Sequence, residues 1–262
     1  MRTSRSYQTH AIIIKQSKFA EVDKIITVYS SEFGKLRALA KGAYRPGSKL
    51  GGNVEPLTYS LLMLARGRNL DIVTQSQCID GFSSLKSDLW RTSCALYILE
   101  LVDSFTVQSS ENGALFNLLI DTLQRLNTAG KDEILLRYFE LNLLHCLGYR
   151  PQLYHCVVCN SSLKPVVNYF SPSLGGVICP ICRGNDFDSR IISVNALKVL
   201  RLWQRCDYTT AAKVKMRPAL QLELEQELQG YIGWILQREV KSMLWLKELR
   251  GEMMLDNSTE NH

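Results

Sequence analysis

Four cysteines arranged in two pairs constrain the fold of this chain more than any other feature. The pairs are Cys156-Val-Val-Cys159 and Cys179-Pro-Ile-Cys182, with 19 residues between them. Each C-x-x-C turn offers two thiolates to one ion, and two such turns at this spacing are typical of tetrahedral zinc ribbons. The intervening stretch is rich in Pro, Asn, Ser and Gly, so it can return the chain without a large core. We therefore predict one Zn²⁺ per chain on these four cysteines.

The predicted zinc is structural, because four cysteine ligands leave no open position for a water molecule. It would hold together a module of about residues 151–190. Two disulfides are the competing interpretation, which a cytosolic location disfavours, and a redox pair would need a thioredoxin-like βαβ context that is absent here. His145 and His155 are not needed as ligands. The remaining cysteines fall on apolar segments and are predicted to be buried thiols: Cys78, Cys94, Cys146 and Cys206.

The first 80 residues show short β segments separated by Gly, Pro and Asn. Five such segments in about 75 residues favour a small barrel or sandwich. The predicted strands are His10–Lys15, Val22–Ser30, Gly34–Lys41, Leu57–Ala65 and Leu70–Gln77.

All of the excess positive charge lies in this region. Residues 1–80 hold 12 Lys+Arg and 6 Asp+Glu, a net charge of +6, which equals the formal net charge of the whole chain. In the third segment, Lys35, Arg37 and Lys41 alternate with small apolar residues, so the cations are predicted to share one face of the strand. Such a face, followed by a flexible basic loop with an exposed Tyr44, suits a groove for single-stranded nucleic acid. Solvated surface charge is the plainer alternative.

The predicted nucleic-acid-binding residues combine this strand, the loop after it and the next hairpin. They are Lys35, Arg37, Lys41, Arg45, Lys49, Arg66 and Arg68. The loop also resembles a phosphate-binding loop, but its Ser48-Lys49 order is reversed, Pro46 removes an amide and no helix follows. We reject an ATP site there.

From about residue 83 the apolar period changes to 3.6, which predicts helices. Three helix faces are predicted, and their residues are Leu85, Leu89, Tyr97, Ile98 and Leu101 for the first, Leu115, Leu118, Leu119 and Leu123 for the second, and Leu135, Phe139, Leu143 and Leu144 for the third. Two further helices are predicted at Ser193–Cys206 and Pro218–Leu249. The fold class is therefore α+β: residues 1–80 form a β domain, residues 81–255 a helical domain with the embedded four-cysteine zinc module, and residues 256–262 a disordered tail.

No catalytic constellation emerges from the sequence. Hydrolase motifs are absent, and four histidines are too few to suggest a His-dependent triad. Nothing here argues for an enzyme. No apolar run reaches the roughly 18 to 20 residues that span a bilayer, so we expect a cytoplasmic protein.

The order of these parts resembles the RecO family of DNA repair proteins over nearly the whole chain. The matching segments are EFGKLRALAKGAYRPGSKLGG, ALYILELVDSF, LRYFELNLLHCLGYRPQLYHCVVC, GGVICPIC and REVKSMLWL. The resemblance implies an OB-fold barrel for residues 1–80, with the family's basic segment on Lys35, Arg37, Lys41, Arg45 and Lys49 and its zinc cysteines on the two C-x-x-C pairs. Two features depart from the family pattern: Tyr44 stands where a basic residue is frequent, and the zinc cysteines are not universal.

The resemblance also implies a function that composition does not give. RecO-like proteins bind single- and double-stranded DNA and anneal complementary strands, including strands coated by the single-strand-binding protein SSB. They contact the acidic C-terminal tail of SSB, and with RecR, often with RecF, they promote loading of RecA. None of this requires ATP hydrolysis, and such a protein would be associated with the nucleoid. The alternatives are a zinc-ribbon adaptor in transcription or RNA handling, and a scaffold whose basic face docks an acidic protein tail.

Overall fold

The structure is a computed structural model that describes residues 5–128 and 133–259, with side chains described through residue 252. By its internal contacts the chain divides into two compact units, which we describe separately. The first comprises residues 1–131 with 240–262, and the second comprises residues 132–239. The first unit therefore contains the barrel, the helices that directly follow it and the last helix of the chain. The sequence suggested a division at residue 80, and that domain boundary stays a prediction.

Five strands of the first unit close into a small barrel, as the sequence predicts for an OB-like domain. They are β1 (Ser6–Lys18), β2 (Lys24–Ser30), β3 (Gly34–Ala40), β4 (Tyr59–Ala65) and β5 (Asp71–Asp80). Their order around the barrel is β1-β2-β3-β5-β4. Neighbours are antiparallel except β3 and β5, whose short parallel pairing begins at Ala38 opposite Asp71. This closure removes free sheet edges.

The barrel interior is filled by small and branched apolar side chains from all five strands. On β3, Ala38 and Ala40 are fully buried and Leu36 packs against the same core, while Arg37 points to solvent. The predicted alternation of apolar and cationic faces on this strand is therefore confirmed. The core residues are Ala11, Ile13, Ile26, Val28, Ala38, Ala40, Ala43, Val54, Leu62, Leu64 and Val73.

The described part of the first unit also contains four helices. They are α1 (Ser83–Lys86), α2 (Leu89–Phe105), α3 (Gly113–Thr128) and α8 (Lys241–Thr259). The predicted single face through Leu85 and Leu89 is wrong, because α2 starts afresh at its N-cap Asp88, whose side chain accepts a hydrogen bond from the Arg91 amide at 2.9 Å. This new start turns Leu89 outward, and its side chain is 62% exposed.

The long helix predicted over Pro218–Leu249 is two helices. The first, α7 (Pro218–Leu236), ends at Gln237, which adopts a left-handed conformation with φ 50°. The second, α8, begins at Lys241, where the Glu100 carboxylate accepts hydrogen bonds from the amides of residues 241 and 242 at 3.1 and 2.8 Å. A carboxylate at this position satisfies free amides and favours the positive end of the helix. Helix α8 continues to Thr259 and residues 260–262 lie outside the described part, so the expected disorder of residues 256–262 stays a prediction.

The second unit, over its described residues, combines four helices with a small antiparallel sheet. Its helices are α4 (Glu133–Cys146), α5 (Val194–Trp203), α6 (Tyr208–Ala211) and α7, and its strands are β6 (Asn168–Ser171), β7 (Gly176–Ile178) and β8 (Arg190–Ile192). The sheet order is β7-β6-β8. The helix predicted at Ser193–Cys206 is α5, with Ser193 as its N-cap. In neither unit does a described helix combine the length and the apolar character that crossing a membrane requires.

Candidate nucleic-acid interface and metal centre

A groove of about 560 Å³ runs along the outer face of the barrel. Its floor is built by register: Lys15 on β1 pairs with Thr27 on β2, and Thr27 pairs with Arg37 on β3, so the three side chains lie side by side. The end of α2 and the segment after it form the other wall, with the exposed Val107. The lining residues are Lys15, Ser17, Ile25, Thr27, Lys35, Arg37, Asp103, Thr106, Val107 and Gln108.

The cations of this groove differ in how far their charge is already compensated. The Lys35 ammonium donates to the Asp103 carboxylate at 3.0 Å and to the Asp103 backbone carbonyl at 2.6 Å, and its side chain is only 14% exposed. Lys15 is mostly exposed, and its Nζ lies 3.8 Å from the other Asp103 oxygen. Arg37 forms no ion pair among the described residues. The charge of Arg37 is therefore fully available to an anionic ligand, and the charge of Lys15 is partly available.

Of the seven predicted nucleic-acid-binding residues, the structure brings two into this groove, Lys35 and Arg37. The other five lie on exposed positions of two loops. Lys41, Arg45 and Lys49 follow β3, and Arg66 and Arg68 occupy the turn between β4 and β5.

Sequence reasoning missed Lys15 and Asp103. Their place in the groove depends on strand pairing and on a helix 68 residues after Lys35, and no local pattern encodes either.

The basic loop after β3 is held to the barrel rather than free. Lys24 is 2% exposed, forms an ion pair with Glu55, and places its ammonium 4.4 Å from the centre of the Tyr44 ring. The Gly42 amide donates to the Asp23 carboxylate at 2.7 Å. The loop is thus tied at its start and near its end, and the flexibility expected for the segment between these contacts stays a prediction. Tyr44 is half exposed, but Lys24 interacts with its ring.

The four predicted metal ligands come together in the second unit. Their Sγ atoms all lie within 4.8 Å of one another, and those of Cys159 and Cys179 are 3.8 Å apart. Zn–S bonds of about 2.3 Å in a tetrahedron place sulfur atoms about 3.8 Å apart, so the donor set fits zinc. The pair 156/159 lies between α4 and β6, and the pair 179/182 follows β7.

Groups around two of the sulfurs, those of Cys156 and Cys159, favour the thiolate form, whereas the hydrogen bond with Cys159 raises the pKa of Cys182. Burial acts to raise the pKa of Cys156, but the backbone amides of Cys159, Cys179 and Val158 more than offset it and hold the pKa below its ordinary value. The Cys179 amide lies 3.3 Å from the Cys156 Sγ. The Ser161 hydroxyl, 3.0 Å from the Cys159 Sγ, lowers the pKa of that thiol. Thiolates are the form that binds metal.

The other four cysteines are not all buried, as the sequence suggested. Cys94 is buried and Cys146 and Cys206 are partly buried, but Cys78 is exposed. It lies on the last part of β5, where residues alternate little and most are exposed. All eight cysteines are free in the structure, and the Sγ atoms of Cys159 and Cys179 are 3.8 Å apart, well beyond the roughly 2.05 Å of a disulfide bond.

Comparison with known proteins places both units in one family. The family model described as Recombination protein O N terminal matches residues 1–82, and the model described as Recombination protein O C terminal matches residues 86–244. The chain belongs to the RecO family. This membership gives it a role in DNA repair and recombination, in agreement with the resemblance found in the sequence.

Individual relatives match over nearly the whole chain. A protein from Roseiflexus sp. (strain RS-1) named DNA repair protein RecO is 41% identical over 246 residues, which are 94% of this chain and 87% of the relative. A DNA repair protein RecO from Dehalococcoides mccartyi (strain CBDB1) is 37% identical over 95% of this chain and 98% of its own length. A DNA repair protein RecO from Desulforamulus reducens is 35% identical over 93% of this chain and 94% of its own length.

Proposed function

We propose that this RecO-family protein binds single- and double-stranded DNA and anneals complementary strands without nucleotide hydrolysis, including strands coated by SSB. The observation that supports this most is the groove on β1, β2 and β3, in which Arg37 has no ion-pair partner among the described residues and Lys15 is largely exposed. Cations along an open groove bind the phosphate backbone whatever the sequence. The bases then stay free to pair with a second strand.

Asp103 limits how tightly the groove holds DNA. Its carboxylate neutralises Lys35 and lies near Lys15, so the groove presents a smaller positive field than its cations alone would give. Moderate affinity suits annealing, because a strand must slide and be released once the duplex has formed. No step in this scheme requires a nucleophile, a general base or an activated water molecule, and we propose that the protein is not an enzyme.

The four cysteines are proposed to bind one structural Zn²⁺. The metal would cross-link the two chain segments that carry the cysteine pairs, and all four ligands come from the protein. The backbone amides near Cys156 and the hydroxyl of Ser161 hold the thiolates in place. Strands β6 and β7 lie between the two cysteine pairs along the chain and β8 lies between the second pair and α5, so the metal would help to fix where that helix begins.

The remaining parts of the proposal come from the family. They are a basic DNA surface that also includes Lys41, Arg45, Lys49, Arg66 and Arg68, contacts with RecR and with the acidic SSB tail, cooperation with RecF in loading RecA, and a nucleoid-associated cytoplasmic location. The division into a DNA-binding domain at residues 1–80 and a helical domain at residues 81–255 is part of the same proposal.

The direct test is annealing of complementary oligonucleotides that are first coated with the cognate SSB, without nucleotide, over a series of salt concentrations. We expect annealing that weakens steeply as salt rises. Binding of bare DNA with no action on coated strands would remove the SSB partnership and favour the general adaptor. A preference for RNA over DNA of the same sequence would favour the role in RNA handling.

A further inference from the structure

A second basic surface lies in the other unit, far along the chain from the barrel. Residues 191–217 contain six Lys+Arg and one acidic residue. The zero net charge of residues 81–262 as a whole conceals this segment, because acidic residues elsewhere in the region balance it. Four of these cations line two clefts: Lys198, Lys215 and Arg217 line the larger one, and Arg205 lines the smaller one.

The larger cleft has a volume of about 700 Å³ and is lined by three exposed cations, Lys198, Lys215 and Arg217. Within the described part of the chain none of the three forms an ion pair. Glu223 also lines this cleft, but its two carboxylate oxygens accept hydrogen bonds from the Ser193 amide at 2.6 Å and the Ser193 hydroxyl at 2.8 Å. That carboxylate is held at the start of α5 and forms an ion pair with none of the three cations, and its single negative charge leaves the cleft with an excess of positive charge.

The start of α7 adds to the positive field of this cleft. The helix begins at Pro218 and is 19 residues long, and its N-cap Arg217 supplies no side-chain acceptor to the first amides. Pro218 has no amide hydrogen and the Leu220 amide donates to the Arg217 carbonyl at 3.0 Å, so the helix start contributes mainly the positive end of its dipole. An anion in the cleft would therefore meet both the cations and this helix end.

The smaller cleft continues the basic surface along α5. It has a volume of about 330 Å³ and is lined in part by Arg150, Tyr154 and Arg205. The guanidinium groups of Arg201 and Arg205 lie 5.1 and 4.4 Å from the centre of the Tyr154 ring. Lys198 lies on α5, and Arg205 lies in the turn that follows the end of the helix at Trp203.

We infer that the five cations lining these two clefts bind the phosphate backbone of a second DNA strand, and we call them the α5 track. They are Lys198, Lys215, Arg217, Arg150 and Arg205. The length of the track favours a nucleic-acid strand over an acidic peptide, because its cations extend over two clefts instead of surrounding one pocket. Two backbones held by one protein are what annealing needs, so the inference rests on the proposed function.

Protection of lysines from an amine-reactive label tests the α5 track on the full-length protein. Each lysine is read by mass spectrometry with and without a thymidine oligonucleotide, in excess over protein and at low salt. We expect labelling of Lys198 and Lys215 to fall severalfold, while the exposed Lys164, which lies outside the track, labels equally in both samples. In the same experiment, the labelling of Lys15 shows whether the oligonucleotide covers the groove.

The outcomes separate the two proposals. Protection of Lys15 without protection of Lys198 and Lys215 would overturn the track and leave the groove. Protection of Lys198 and Lys215 alone would support the track and remove the groove as a DNA site. Protection of neither site overturns both. If a polyglutamate peptide protects the two track lysines and DNA does not, the track is a site for an acidic protein segment and the inference is wrong.

A charge-removal variant provides an independent measurement. K198Q/K215Q/R217Q should lower the salt dependence of single-strand binding by about 2 in the slope of log affinity against log salt, at about 0.7 for each lost phosphate contact. The control K164Q/K241Q/K247Q removes the same number of charges outside the track and should leave the slope unchanged. Equal slopes for the two variants would contradict the inference.

Discussion

The ammonium group of Lys35 lies 3.0 Å from a carboxylate oxygen of Asp103 and 2.6 Å from the backbone carbonyl of the same residue. A cation that the sequence assigns to DNA is therefore already bound within the protein. This contact joins β3 to the end of α2 and sets the charge of the groove between them. Lys35 therefore positions the wall of the groove, whereas Lys15 and Arg37 face a ligand.

Removing the Asp103 charge should strengthen DNA binding. D103N keeps the size of the side chain and its contact with Lys35, but it leaves the charges of Lys35 and Lys15 uncompensated. We expect affinity for single-stranded DNA to rise by about threefold at low salt, which is about 0.6 kcal/mol, in the range of a partly exposed ion pair. Fluorescence anisotropy with a labelled oligonucleotide measures this. D121N, on α3, is the matched control, and a loss of affinity in D103N would show that the carboxylate supports the site.

Replacing a zinc ligand should lower metal content and stability together. C156S and C182S each remove one thiolate from the cluster, and because metal binding contributes to folding free energy, we expect a clear fall in melting temperature. C78S changes an exposed cysteine outside the cluster and serves as control. Zinc content by mass spectrometry and thermal unfolding are measured on the same samples. A variant without zinc that melts like the parent protein would refute the structural role.

Glu227 should make stability depend on pH. Burial raises the pKa of this carboxyl to about 7, with Arg190 acting to lower it and Glu223 to raise it. The folded protein holds the proton more tightly than the unfolded chain does, so the stabilisation is complete below about pH 4.5 and is lost as pH rises towards 7. E227Q should raise the melting temperature at pH 8 and change it little at pH 4. E239Q alters an exposed carboxyl, and we expect it to leave the melting temperature unchanged at both pH values.

The ion pair between Lys24 and Glu55 should stabilise the loop after β3. E55Q leaves the buried ammonium of Lys24 without its charged partner, and we expect the free energy of unfolding to fall by about 2 kcal/mol, less than for a fully buried pair because Glu55 is partly exposed. K24M/E55Q removes both charges and should recover part of this loss. Chemical denaturation of the single and double variants measures the coupling. A double variant less stable than E55Q would contradict it.

The strands and the metal cluster could be predicted because their signals are local. Alternation on β3 showed which residues face the core, and the spacing of Cys156, Cys159, Cys179 and Cys182 was sufficient to predict the cluster. The helix breaks near Ser87 and Gln237 were missed, because apolar periodicity continues across both positions. Here a capping carboxylate and a left-handed residue, rather than the apolar pattern, decide where the helices begin and end.

The residues that line the groove could not be predicted without knowing the fold. Arg37 was predicted from its strand, but its neighbour Lys15 is reached only through the register of β1, β2 and β3. Asp103 enters from α2, and its effect on Lys35 reverses the sequence-based view of that residue as a free cation. The α5 track was hidden by averaging charge over residues 81–262 and becomes visible when residues 191–217 are counted alone. The partners proposed for the protein come from the family rather than from any residue pattern.

The salt dependence of single-strand binding, compared between the parent protein and K15Q/R37Q, shows whether DNA binds in the barrel groove. These two side chains are the groove cations that face a ligand, so we expect a slope of log affinity against log salt that is shallower by about 1.4, at about 0.7 per phosphate contact. K164Q/K247Q removes the same charge outside the groove and should keep the parent slope. An unchanged slope in K15Q/R37Q, with the protein folded, would contradict the barrel groove as the DNA site.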